Sequence, residues 1–346
     1  MASDMALDVL LPHLHRSVGK TLWIADEAAL DAVTAVQPVS QLTIISNRYD
    51  VVMAAQSVGH QAVFSDFDFL SFEQNSYARI VYRLSKEKAV VHHVINCAVE
   101  LLAQQGELVC AGFKTDGAKT YLDKCKKIFG NGGAQKCGVA YLGVFQKTSQ
   151  ELAAALDDRN YTELRLINAE GLSFLSKPGV FGWECVDDGS ALLISVLDDF
   201  LEQEKCQPQS LLDLGCGYGY LTLMTRHLSL QHRVATDNCA AALLAMRANA
   251  EYYALAVDVM ASDAGNAVQG VFDCVVCNPP FHRGTAVAGD LTEHFLRQAA
   301  RLLSAQGVAV FVVNAFIPLE KKAAAYFSVV ELLVNSGSYK VLVLRK

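Results

Sequence analysis

Apolar residues in the C-terminal half fall into two alternating rhythms. Unbroken apolar runs at 210–214, 233–236, 271–277 and 307–313 predict buried strands. The segments 239–253 and 290–304 carry helical spacing, and in the second Leu291, Phe295, Leu296, Ala299, Leu302 and Leu303 share one face. Strands alternating with helices predict a parallel sheet covered by helices.

The N-terminal half repeats this order more faintly. Strands are expected at 41–46, 62–64 and 79–82, and LLAQQGELVC at 101–110 echoes LLSAQGVAVF at 302–311. Asp66 follows the first of these strands much as Asp237 follows 211–214. Several echoes in one order predict an old duplication: an α/β chain of two tandem doubly wound, Rossmann-like domains. The halves differ where chemistry would sit. SNRYD (46–50) is expected to stand in place of GCGYG (215–219), and RLSK (83–86) in place of NPPF (278–281). The N-terminal domain is therefore degenerate, a scaffold for recognition or support. Between the halves, 163–168 and 172–175 flank 169–171 as a hairpin. The expected domains are 1–150 and 151–346.

Composition narrows the class. With 346 residues, 52% of them apolar and 19% charged, the chain can build two cores and is not a disordered one. Ten scattered cysteines read as reduced thiols of a cytoplasmic protein, and Cys274 and Cys277 lie inside an apolar strand, so no metal is expected. The acid-bearing N-terminus does not read as a signal peptide, and no apolar run reaches spanning length.

Leu211-Leu212-Asp213-Leu214-Gly215-Cys216-Gly217-Tyr218-Gly219 reads as a strand, a glycine-rich turn and a helix start. Gly215, Cys216, Gly217 and Gly219 would let a ligand approach the backbone directly, although a dinucleotide enzyme could show a similar turn. Asp237, ending the second strand, can accept from two ribose hydroxyls; a helix cap is its alternative, with Asn238 as a rival cap. Asp263 is either an adenine neighbour or a turn residue, and Asp213 is expected below the turn, near the cofactor's amino-acid end.

Asn278-Pro279-Pro280-Phe281 follows the third strand, at the carboxyl edge where ligands bind in open α/β sheets. An exocyclic base amine is a poor nucleophile because its lone pair is delocalised. The Asn278 side-chain oxygen and the Pro279 carbonyl can accept its N–H bonds and hold it for attack, which is catalysis by positioning and fixed dipoles. Asn278 thereby also counts among the cofactor contacts. Phe281 offers a stacking face. His282 is a loop histidine with no assigned role.

Pro178-Gly179-Val180-Phe181, Asp187 with Gly189-Ser190, LLDLGCGYG, NPPFH (278–282), Val313-Asn314-Ala315-Phe316-Ile317-Pro318 and Gly337-Ser338-Tyr339-Lys340-Val341 carry a likeness to known proteins. The C-terminal half resembles the class I methyltransferases, whose Asn-Pro-Pro-Phe form marks methylation of planar nitrogens. More closely it resembles the bacterial ribosomal RNA guanine-N2 methyltransferases, especially the small-subunit methyltransferase C family. The resemblance implies S-adenosylmethionine as cofactor and a guanine N2 in the helix-34 region of 16S ribosomal RNA as target, the base swung out to reach the pocket. It implies tandem domains with the first degenerate. One departure is clear: where the family has Ser-Arg-Asp-Gly after Phe181, this chain has Gly182-Trp183-Glu184-Cys185.

A formal net charge of −7 does not favour RNA, but Lys114, Lys119, Lys124, Lys126, Lys127 and Lys136 cluster against only Asp116 and Asp123. They form either a phosphate-contacting surface on the N-terminal half or a solvated helix face. The expected partner is 16S RNA or the 30S subunit, met by a monomer. The competing readings are a large-subunit RNA methyltransferase, a protein-glutamine or DNA-adenine methyltransferase, and a non-catalytic assembly protein.

Overall fold

The computed structural model describes residues 4–14, 19–148, 154–169, 171–280 and 286–346. The chain forms two compact units, 1–163 and 164–346. The division lies beyond the expected 150 because 156–161 packs onto the first unit. Asn96 exchanges hydrogen bonds with the Leu156 backbone, and the Tyr161 hydroxyl bonds Asp66 at 2.5 Å.

The first unit holds β1 (Thr21–Ala25), β2 (Leu42–Ser46), β3 (Gln61–Phe64), β4 (Tyr77–Arg83), β5 (Leu102–Phe113), β6 (Gly130–Cys137) and β7 (Ala140–Lys147), ordered β3-β2-β1-β4-β5-β7-β6. A hairpin follows, β8 (Arg165–Ala169) with β9 (Leu172–Ser176). The second unit's sheet contains β10 (Ser210–Leu214), β11 (His232–Asp237), β12 (Asp258–Ala261), β13 (Phe272–Cys277), β14 (Leu303–Asn314), β15 (Val329–Asn335) and β16 (Tyr339–Arg345). Its order, β12-β11-β10-β13-β14-β16-β15, repeats the first, with five parallel strands closed by an antiparallel pair. The central strands are buried and mostly apolar because helices cover both faces. Cys274 and Cys277 are buried within β13. Among the described residues, no helix is long and apolar enough to cross a membrane.

The two sheets share one topology, but the expected alignment of the halves is displaced by one strand. The N-terminal counterpart of β10 is β1, a wholly buried strand whose Trp23 shares the register of Asp213. SNRYD therefore follows the second strand and occupies the place of Asp237, whereas Asp26 and Glu27 stand where the glycine turn does. Asp66 likewise matches Asp263: the Ser65 N–H bonds Ser46 O at 3.0 Å as the Ser262 N–H bonds Asp237 O at 3.0 Å. Arg83 does match Asn278, as expected for RLSK against NPPF. Its guanidinium lies 2.8 Å from Asp4, 3.5 Å from Asp26 and 3.7 Å from Asp116, and packs over the Phe113 ring. Tryptophan, serine and arginine thus replace Asp213, Asp237 and Asn278 in the first unit, and an internal ion cluster fills the edge.

Candidate active site

The site lies at the carboxyl ends of β10, β11 and β13. Leaving β10, the chain turns through Gly215 (φ +85), Gly217 (φ +55) and Gly219 (φ +94) into helix Tyr220–Met224. The turn is pinned from below, since the N–H groups of Gly215 and Cys216 both bond Thr236 O. Asp237 pins it from the side: one carboxylate oxygen accepts from Gly217 N–H at 2.9 Å, the other from Cys239 N–H at 2.8 Å. Asp237 thus holds the residue that opens helix Ala240–Tyr252. Buried Asn249 ties the turn to the hairpin, donating to Tyr218 O and to Leu175 O.

Gly217 faces open space where a side chain would point, so a ligand can lie against its backbone. Gly219 is different, because a Cβ there would fall 2.1 Å from the sulfur of buried Met246. Gly219→Ala combines left-handed strain with overpacking and is expected to cost about 2–4 kcal/mol in urea unfolding. Gly337→Ala, with φ +89 but nothing in reach, should cost about 1 kcal/mol.

Asp213 is fully buried. One oxygen accepts from the Thr222 N–H at 3.0 Å and the Thr222 hydroxyl at 2.6 Å. Its other oxygen, Oδ1, is buried without a hydrogen-bond partner among the described residues. Burial pushes this carboxyl up to about 7, against the opposing pull of the two Thr222 bonds. An orphaned carboxylate oxygen beneath a glycine cradle fits the ammonium end of an amino-acid-bearing nucleoside. Asp263 sits half-buried near the end of β12, with His294 of helix Ala286–Leu302 at 3.7 Å.

Asn278 is half-buried just past β13, Pro279 is buried and Pro280 exposed. The Asn278 amide nitrogen donates to Asp187 Oδ2 and to Ser190 Oγ, each at 2.8 Å. Both its N–H bonds are thereby used, which fixes the side-chain flip and leaves Oδ1 to accept from a substrate. Asp187 is also the N-cap of helix Asp188–Gln203, its Oδ2 accepting from Ser190 N–H at 2.9 Å. A Cβ on Gly189 would strike that carboxylate and the Tyr339 ring, each at 2.9 Å. Phe281 and His282 lie outside the described residues.

Sequence reasoning gave Asp187 and Ser190 no role of their own, although an acid three residues before serine at the head of an amphipathic run is a capping signal. At the 182–185 departure, Trp183 is half-buried against the core of this unit and lies under the Arg165 guanidinium at 5.3 Å. Of the six lysines between 114 and 136, five are exposed. Lys124 is half-buried and donates to His92 Nε2 at 2.8 Å, and Lys119 also packs over Tyr141.

A doubly wound sheet with this glycine turn, an acid ending the next strand and Asn-Pro-Pro after β13 defines the class I S-adenosylmethionine-dependent methyltransferases. The Methyltransferase small domain family matches residues 171–343. Ribosomal RNA small subunit methyltransferase C from Actinobacillus succinogenes is 28% identical over 342 residues, covering 96% of each chain. Its Haemophilus influenzae counterpart is 30% identical over 270 residues, 76% of this chain and 77% of that one. Among solved structures, the T. thermophilus 16S rRNA N2 G1207 methyltransferase in complex with AdoMet and guanosine is 25% identical. It superposes with a TM-score of 0.85 over 100% of this chain and 92% of its own. The chain belongs to the ribosomal RNA small subunit methyltransferase C family.

Proposed function

We propose that the protein transfers a methyl group from S-adenosylmethionine to the exocyclic N2 of a guanine in 16S ribosomal RNA, in the helix-34 region. The observation that carries this reading is the Asp187–Asn278–Ser190 arrangement, which presents a single fixed acceptor oxygen to a planar amine. The family and the likeness to a guanine-N2 enzyme with AdoMet and guanosine support the choice of base and cofactor.

S-adenosylmethionine supplies an electrophilic methyl on a sulfonium. Asp213 takes its ammonium through the orphaned oxygen, and Gly215, Cys216, Gly217 and Gly219 line it with backbone. Asp237 would accept from the ribose hydroxyls, and Asp263 from the adenine amine. Asn278 Oδ1 and the Pro279 carbonyl accept the two N–H bonds of the guanine amine. That draws the nitrogen lone pair out of conjugation and aims it at the methyl. The methylated cation is strongly acidic and loses its proton to water. Phe281 stacks on the base.

The first unit serves recognition. Its exposed Lys114, Lys119, Lys126, Lys127 and Lys136 contact phosphates, while Lys124 is engaged with His92. The enzyme acts as a cytoplasmic monomer.

Purified protein incubated with radiolabelled S-adenosylmethionine and, separately, 30S subunits, 50S subunits and deproteinised RNAs tests the reading. Label on guanine N2 of 16S RNA is expected. Cofactor binding without transfer to any RNA would overturn the substrate assignment.

A further inference from the structure

We propose that Phe181 and Phe316 stack on nucleobases flanking the target guanine and hold the RNA single-stranded across the mouth of the site. This rests on the RNA reading above and goes beyond it in naming how the neighbouring nucleotides are gripped. Phe181 is 80% exposed and Phe316 71% exposed, whereas most aromatic rings of this unit are packed in its cores. Each ring is displayed by a hydrogen-bonded turn. Ala315 N–H bonds Ser338 O at 2.8 Å and Ile317 N–H bonds Asn314 O at 3.0 Å, bracketing Phe316. Val180 N–H bonds Lys177 O at 3.3 Å and Cys185 N–H bonds Gly182 O at 3.2 Å, bracketing Phe181.

Both turns belong to segments that frame Asn278. The Phe181 segment starts at Gly179, whose carbonyl faces the Cys239 thiol beside Asp237, and ends at Asp187, which holds the Asn278 amide. It therefore crosses from the ribose side of the site to the amine side. Phe316 stands two residues past β14, the strand next to β13, so it emerges at the same sheet edge from the opposite flank. A groove of about 460 Å³, lined by Asp188, Ser195, Ser336, Ser338 and Tyr339, runs beside the Phe316 turn, and exposed Lys321 follows it. The serine hydroxyls and the Asp188 carboxylate suit ribose hydroxyls, and Lys321 outside the groove suits a phosphate; a flat apolar ring held in water suits a base, whose π-face any sequence provides.

The test measures methyl transfer to 16S RNA or 30S subunits by wild type, Phe181→Ala, Phe316→Ala, Phe316→Leu and Phe316→Trp, together with cofactor Kd and thermal melts as controls for folding. Each alanine variant is expected to raise KM for RNA about 5- to 150-fold, with kcat and cofactor Kd near wild type. Tryptophan at 316 should restore KM, and leucine should not. Wild-type KM in both alanine variants, or equal rescue by leucine, overturns the stacking role. Absence of transfer by the wild type to any RNA overturns instead the substrate reading on which it rests.

Discussion

Asn278→Ala is expected to slow methyl transfer about 10²–10³-fold, with a far smaller change in cofactor Kd. The loss follows from what the side chain does: it stabilises charge that develops on the amine only as the methyl is transferred. Asp187→Ala should approach the same defect without touching the substrate. With its Asp187 bond gone, the Asn278 amide can rotate or flip, and the acceptor oxygen is no longer aimed. The helix cap is lost as well, at about 1 kcal/mol. Asp187→Asn keeps an acceptor for both Asn278 and Ser190 and should recover most of the rate. Single-turnover rates beside cofactor titrations separate these effects. Equal rates in Asp187→Ala and wild type would remove Asp187 from the mechanism.

Asp213→Asn is the second large effect, and its two halves have opposite signs. The variant should bind S-adenosylmethionine at least tenfold more weakly at pH 8, because a neutral amide replaces the carboxylate offered to the ammonium. Unliganded, it should be the more stable protein at that pH. The wild-type carboxyl is raised by burial to about 7 in the folded state, from 3.8 as its ordinary value. The folded state therefore holds this proton more tightly than the unfolded chain does, and wild-type stability falls as pH rises from about 4 to about 7. The substitution removes that slope. In the wild type, cofactor binding below pH 7 must expel the proton. Affinity should weaken as pH falls, by at most about tenfold per unit, and calorimetry in buffers of different ionisation enthalpy should register the release. A pH-independent wild-type Kd between 5 and 8 would separate Asp213 from the cofactor.

What the sequence disclosed depended on whether a segment declared itself locally. Ser210–Leu214 carries five strand residues straight into three glycines, and its bounds were readable as printed in the chain. The β8–β9 hairpin was equally plain. Thr21–Ala25 was missed because its five residues have no period and lead into Asp26-Glu27-Ala28, a turn with no glycine to mark it. That one omission displaced the alignment of the halves, setting Asp66 against Asp237 when its counterpart is Asp263. Strand β12 is short and only partly buried, so it lacked the apolar run that betrayed its neighbours. Asn278 and the glycine turn were legible as motifs. The hold of Asp187 on Asn278 was not, because it joins residues 91 apart and exists only once helix Asp188–Gln203 is seated. Nor could spacing foretell that Lys124 spends its charge on His92.

The ion cluster around Arg83 makes the first unit's loss of chemistry a one-way step. Returning Arg83 to asparagine would strand Asp4, Asp26 and Asp116 without their cation, a kind of change that costs about 3–5 kcal/mol when the pair is buried. Returning Trp23 to aspartate would open a hole and put a lone charge in it. Neither reversal helps without the other, and each passes through a less stable protein. History is thus latched into this copy: mutation can remodel its surface for new contacts far more readily than it can recover a cofactor site.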